Sequence, residues 1–150
     1  MMKPLIGVLA ACIGLAVPAA LAAAGLFSAT RQVIAIVAGD LFVGEAEGNV
    51  SGAGTLAIRS QSDPNLTCIG QFTSSAELGG SGQIQCSDGA FATFQFQRLS
   101  MFSGYGTGSF SRGSMSFVYG LTVEEAAPYL KLPDGKKLML EGAGLALVNL

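Results

Sequence analysis

The hydrophobic positions of this chain recur with a period of two, the signature of strands with one buried face. Residues 90–97 show it most cleanly: Ala92, Phe94 and Phe96 point one way while Thr93, Gln95 and Gln97 point the other. Residues 41–50 repeat the pattern, with Phe42, Gly44, Ala46 and Gly48 on one face and Val43, Glu45 and Glu47 on the other. An inner face of small residues implies close backbone approach, as in a small barrel or a tightly curled sheet. Residues 31–38 (RQVIAIVA) are β-branched, without alternation, and stop at Gly39-Asp40. They predict a first strand buried on both faces, or one that continues a membrane-proximal segment.

A weak repeat runs through the middle of the chain. Gly52 and Gly54, Gly80 and Gly82, and Gly106 and Gly108 each open a unit that runs into a strand, turns and returns. Counted between Gly54, Gly82 and Gly108, the separations are 82 − 54 = 28 and 108 − 82 = 26 residues. Three successive hairpins follow, with return strands over residues 66–72, 90–97 and 114–119. Met115, Phe117 and Tyr119 share a core face. The run Ser103-Gly104-Tyr105-Gly106-Thr107-Gly108 has the look of a phosphate loop. No helix pattern follows it, so it predicts a turn or bulge.

Thr122-Val123-Glu124-Glu125 is a capping box, which starts a short helix that Pro128 limits to residue 132 or earlier. Residues 136–141 and 145–150, around Gly142-Ala143-Gly144, predict a last hairpin whose final strand closes or extends the sheet. The expected fold is all-β: a small antiparallel barrel or strongly curled sheet of about eight strands, with one short helix near residues 122–131.

The cysteines bear on this picture. With a turn centred on Glu77, Phe72 lies opposite Gly82 and Cys68 opposite Cys86, within disulfide reach across an antiparallel pair. The competing readings are a reduced buried pair and a redox pair, though a redox pair favours Cys-x-x-Cys at a helix start.

Residues 1–24 are expected to be a signal peptide or membrane anchor, and residues 25–150 a single β-domain. After Lys3 no charge occurs before Arg31. Three readings stand: cleavage after Ala20-Leu21-Ala22 or slightly later, an uncleaved span over residues 4–27, or lipidation at Cys12 within Leu9-Ala10-Ala11-Cys12.

Composition narrows the function classes. Apolar residues make up 50% of the 150-residue chain and charged ones 12%, with 21 glycines: too apolar for disorder, and suited to crowded strands. The net charge of −2 and the lack of a basic stripe beyond Lys131, Lys136 and Lys137 argue against nucleic acid. No histidine is present, which removes the usual general base and the commonest metal ligand. Glu45, Glu47 and Asp88 are the remaining candidates for acid–base chemistry, and the strand pattern sets both glutamates on a solvated face. No enzyme activity, metal or cofactor is expected.

The motifs Gly39-Asp40-Leu41-Phe42-Val43-Gly44, Cys86-Ser87-Asp88-Gly89, Ser103-Gly104-Tyr105-Gly106 and residues 119–125 (YGLTVEE) resemble those of small exported envelope proteins of Gram-negative bacteria. The resemblance covers about residues 39–133 and implies export and a shared β-fold, with no activity attached. The expectation is therefore a non-catalytic periplasmic or cell-envelope β-domain, a structural or protein-binding accessory whose partner is another envelope protein. Membrane association is expected only through the N-terminal segment. Two alternatives stand beside it. One is a carrier holding a small apolar ligand at a barrel mouth near Tyr105 and Phe110, against which the small inner residues argue. The other is a hydrolase inhibitor presenting the loop at residues 74–81, with Glu77 and Leu78 at its tip.

Overall fold

Strand parity decides which side chains meet, and the hairpin turns decide which strands pair. In the computed structural model, which describes residues 28–75, 78–142 and 144–150, eight strands follow one another up and down. They are β1 (Ser28–Val37), β2 (Asp40–Asn49), β3 (Ala53–Ser60), β4 (Thr67–Ser74), β5 (Gly79–Cys86), β6 (Phe91–Ser100), β7 (Ser103–Phe110) and β8 (Gly113–Tyr119). The last returns to the first: Val33 pairs with Tyr119 and Val37 with Met115, so the sheet is a closed antiparallel barrel. Closure satisfies the backbone groups that two edge strands would otherwise expose.

The glycine repeat acquires its meaning inside the barrel. Across one inner row, Gly54 of β3 faces Phe72 of β4, Phe72 faces Gly82 of β5, Gly82 faces Phe94 of β6, and Phe94 faces Gly108 of β7. A second row sets Gly80, Phe96, Gly106 and Phe117 side by side. The rings of Phe72, Phe94 and Phe117 lie over the bare backbone of Gly54, Gly82 and Gly106. A Cβ at Gly82 would stand 2.4 Å from Phe94 Cζ and 2.4 Å from the Gln71 carbonyl oxygen, so no side chain fits there. For the same reason residues 103–108 are strand, not the expected turn or bulge: Gly104, Gly106 and Gly108 alternate inward, the first two under the rings of Tyr119 and Phe117 and the third against Phe94 Cβ. The register shift lies earlier, between Arg98 and Ser100.

β1 is buried on both faces from Val33 to Val37, as its unbroken apolar run predicts. Val33, Ala35 and Val37 join the barrel interior, while Ile34 and Ile36 join a second core on the outer wall with Leu41, Val118, Ala126, Leu130 and Leu145. That outer core is roofed by α1 (Val123–Ala126), a 3₁₀ turn (Ala127–Tyr129) and the hairpin of β9 (Lys136–Glu141) and β10 (Gly144–Asn149). The hairpin does not close or extend the barrel sheet, contrary to expectation; it forms a separate two-stranded sheet. The β1–β8 pairing leaves the barrel no free edge, and the apolar strip of Ile34 and Ile36 needs a cover.

The capping box forms as the sequence predicts. The Thr122 hydroxyl accepts from the Glu125 N–H at 3.3 Å, and the Thr122 N–H donates to Glu125 Oε2 at 2.9 Å. Thr122→Ala is expected to lower stability by about 1 kcal/mol, with Thr122→Ser close to neutral. Equal losses for the two in urea denaturation would show that the cap is not the cause.

Candidate functional site

The two ends of the barrel differ. At the end carrying the β1–β2, β3–β4, β5–β6 and β7–β8 turns, Cys68 and Cys86 point inward and are joined in the predicted disulfide. Buried Ser60 donates to Asp40 Oδ2 at 2.5 Å, Ser62 donates to Asp40 Oδ1 at 2.9 Å, and the Asp63 N–H donates to Ser60 Oγ at 3.0 Å. On the rim Asp88 pairs with Arg112. Its carboxylate lies below the usual range, first because the Ala90 N–H donates to it and further because of Arg112, with desolvation opposing. This end is plugged by covalent and polar links.

The opposite end is open. A cavity of about 640 Å³ enters the barrel there, walled by the rings of Phe72, Phe94, Phe96, Phe117 and Tyr119. The rings brace one another edge to face, with centroids 5.8 Å apart for Phe72–Phe96, 5.2 Å for Phe94–Phe117 and 5.9 Å for Phe96–Tyr119. Such contacts hold a wall in place when a ligand is absent. The loop tips around the opening carry exposed Val50, Leu78 and Met101.

Two arginines stand among these apolar groups. Arg98 continues the inward phase of Ala92, Phe94 and Phe96; its Nη1 donates to the Met101 carbonyl at 3.1 Å and its Nη2 to Ser74 Oγ at 2.9 Å. Its Nε is buried and has no hydrogen-bond partner among the described residues. Arg31 lies over the Phe102 ring, 4.3 Å from its centroid, and donates to the Thr30 carbonyl. Burial pushes the Tyr119 hydroxyl above its ordinary pKa, and the positive charge of Arg98 partly opposes that shift. No aspartate or glutamate lines the cavity among the described residues.

The residues singled out from sequence fall in several places. Cys68 and Cys86 close the plugged end. Tyr105 and Phe110 do not form one mouth: they lie on opposite faces of β7. Tyr105 is outside, stacked on Tyr129 with centroids 4.5 Å apart and donating to Gln97 Oε1 at 2.8 Å, whereas Phe110 packs against the inner core. Leu78 is exposed on the β4–β5 loop at the open end. Cys12 and Glu77 lie outside the described residues.

Glu45 and Glu47 project from the outer wall as expected, beside a groove of about 660 Å³ floored by strand side chains such as Gln71 and Gln83. Among the described residues no three Asp, Glu, Cys or His side chains gather as metal ligands, and no helix is long and apolar enough to cross a membrane.

The small inner residues, expected to leave no room, help make the cavity. Ala46 and Gly48 lie at the open end with no bulk to fill it. Arg31 and Arg98 were not singled out from sequence. Their signal was parity, since each charge shares the phase of a buried face: Arg31 with Val33, Ala35 and Val37, Arg98 with Phe94 and Phe96. Comparison of the chain with protein-family models, with curated proteins and with solved structures finds no match.

Proposed function

We propose that this protein is a carrier that holds an apolar small molecule in the open end of its barrel, without catalysis. The observation that carries the reading is the cavity of about 640 Å³ lined by six aromatic rings, those of Phe72, Phe94, Phe96, Phe102, Phe117 and Tyr119. Its size falls within the roughly 300–1,000 Å³ of small-molecule sites, and such sites are mostly apolar with a few placed polar groups. The disulfide between Cys68 and Cys86 and the uncharged N-terminal run favour an exported protein working in an oxidising compartment such as the periplasm. The exposed Val50, Leu78 and Met101 around the opening favour a second role for that end, contact with the envelope component that supplies or receives the ligand.

Native mass spectrometry of the purified full chain tests the reading; a co-purifying molecule of defined mass is expected. A fluorescent alkyl probe gives the quantitative arm. Ala46→Phe sets a ring into the opening from β2 and is expected to weaken probe binding about tenfold or more, while Gln83→Phe on the outer wall leaves it within about twofold. Equal binding in both variants places the probe elsewhere and overturns the reading.

A further inference from the structure

We infer that the ligand is an amphiphile with an anionic head, its apolar tail among the rings and its head at Arg98, with Tyr119 and Arg31 beside it. The inference rests on the reading of the open end as a binding cavity and adds the chemistry of the head.

Its first support is charge. The lining contains Arg31 and Arg98 and no carboxylate among the described residues, although the chain as a whole carries a net charge of −2. Among the described residues, positive charge is therefore concentrated at this opening against the balance of the molecule. A neutral ligand gives no reason for two cations in a wall of phenylalanines, and a cationic one would be repelled.

The second support is the hydrogen-bond inventory of Arg98. A guanidinium offers five N–H groups. One bonds to the Met101 carbonyl and one to Ser74 Oγ, which ties the β6–β7 loop and the end of β4 to a single side chain and fixes its orientation. The Nε–H is buried and unpartnered among the described residues. That atom is closed off from the cavity, but Arg98 lines the opening, and Nη1 and Nη2 each keep one N–H without a hydrogen bond among the described residues. An oxyanion in the cavity supplies acceptors for these, and the planar fork suits a carboxylate or a phosphate ester.

The third support is register. Arg98 faces Gly104, Gly104 faces Tyr119, and Tyr119 faces Val33, next along the inner face of β1 from Arg31. The Tyr119 phenol lies over Gly104, where a Cβ would stand 2.4 Å from its hydroxyl oxygen, so the glycine lets the hydroxyl sit against the strand position that Arg98 faces, in keeping with the opposing influence of the Arg98 charge on the Tyr119 hydroxyl. An oxyanion in the opening beside Arg98 and Tyr119 receives donors from two strands, with the aromatic floor below it for the tail.

The test compares dodecanoate, dodecanol and dodecylammonium, identical in tail and different in head, by displacement of a fluorescent alkyl probe from the full chain at neutral pH. Dodecanoate is expected to bind at least about tenfold more tightly than dodecanol, with dodecylammonium weakest. Arg98→Gln is expected to bring the acid-to-alcohol ratio close to one. Arg112→Gln, at the plugged end, leaves it unchanged. Should Arg98→Gln not fold, Arg31→Gln reads the same ratio, which is expected to fall about threefold; among the described residues the guanidinium it removes donates to the Thr30 carbonyl and lies over the Phe102 ring.

Equal binding of acid and alcohol to the wild type overturns the anionic head while leaving the apolar cavity standing. Failure of all three probes overturns the cavity reading itself. An acid preference that survives both arginine substitutions overturns the assignment to these residues.

Discussion

Phe94→Ala is expected to cost about 3–5 kcal/mol of stability, whereas Phe91→Ala, three residues earlier on the same strand, changes it by less than about 1 kcal/mol. Phe94 is 3% exposed and points into the barrel; Phe91 is 47% exposed and points out. The Phe94 ring meets Phe117 edge to face and lies over Gly82, while its Cβ abuts Gly108 on the other side. Truncation leaves a void bordered by glycines, which have no side chain to swing into it, so the loss belongs at the upper end of the range for large-to-small changes. Urea unfolding followed by a tertiary-structure signal measures both variants. Losses of similar size would mean that strand parity does not set the core.

Removing the Cys68–Cys86 bond is the second large effect. The bridge joins residues 18 apart in sequence, and in the chain-entropy view a loop of that size is worth about 3 kcal/mol through restriction of the unfolded chain. Both sulfurs are buried beside Ile58 and Ile84 at the plugged end. Cys68→Ala with Cys86→Ala therefore loses packing as well as the crosslink, while chemical reduction of the wild type loses the crosslink alone. Reduced protein is expected to unfold at a distinctly lower denaturant concentration than oxidised protein, with the double variant lower still. Coincident transitions for reduced and oxidised protein would remove the bond from the account of stability. Because the bond sits at the end away from the cavity, probe binding by reduced, still folded protein is expected to match the oxidised form.

The polar links at the two ends have different consequences. At the plugged end Ser60, Asp40 and Ser62 join β3, β2 and the β3–β4 loop through side chains that satisfy one another. At the open end the corresponding tie runs through Arg98, which leaves one buried donor, Nε–H, unpartnered among the described residues. A polar group that is fully paired stabilises a fold, and one left unpaired is costly unless something else completes it. That contrast separates the structural end of this barrel from the end assigned to ligand.

Much of the architecture was legible in the sequence because it is local. A period of two states which side chains share a face, and a short turn fixes the register of the two strands it joins. Cys68 thus meets Cys86 and Phe72 meets Gly82, as a turn centred on Glu77 requires. The capping box at Thr122 and Glu125 is equally local, three residues long and complete in itself.

What only the tertiary structure decided depends on strands far apart in the chain. Nothing in residues 28–37 states that they will pair with residues 113–119, yet that one pairing turns a curled sheet into a closed barrel. It also removes the edge that β10 was expected to join, and sends β9 and β10 to the outer wall. The cavity follows from the same closure: Arg31 and Arg98 lie 67 residues apart (98 − 31 = 67) and become neighbours of one opening only when β1 comes round to β8. Parity showed that each arginine shares a phase with buried residues. Only closure of the ring showed that the two phases face the same space.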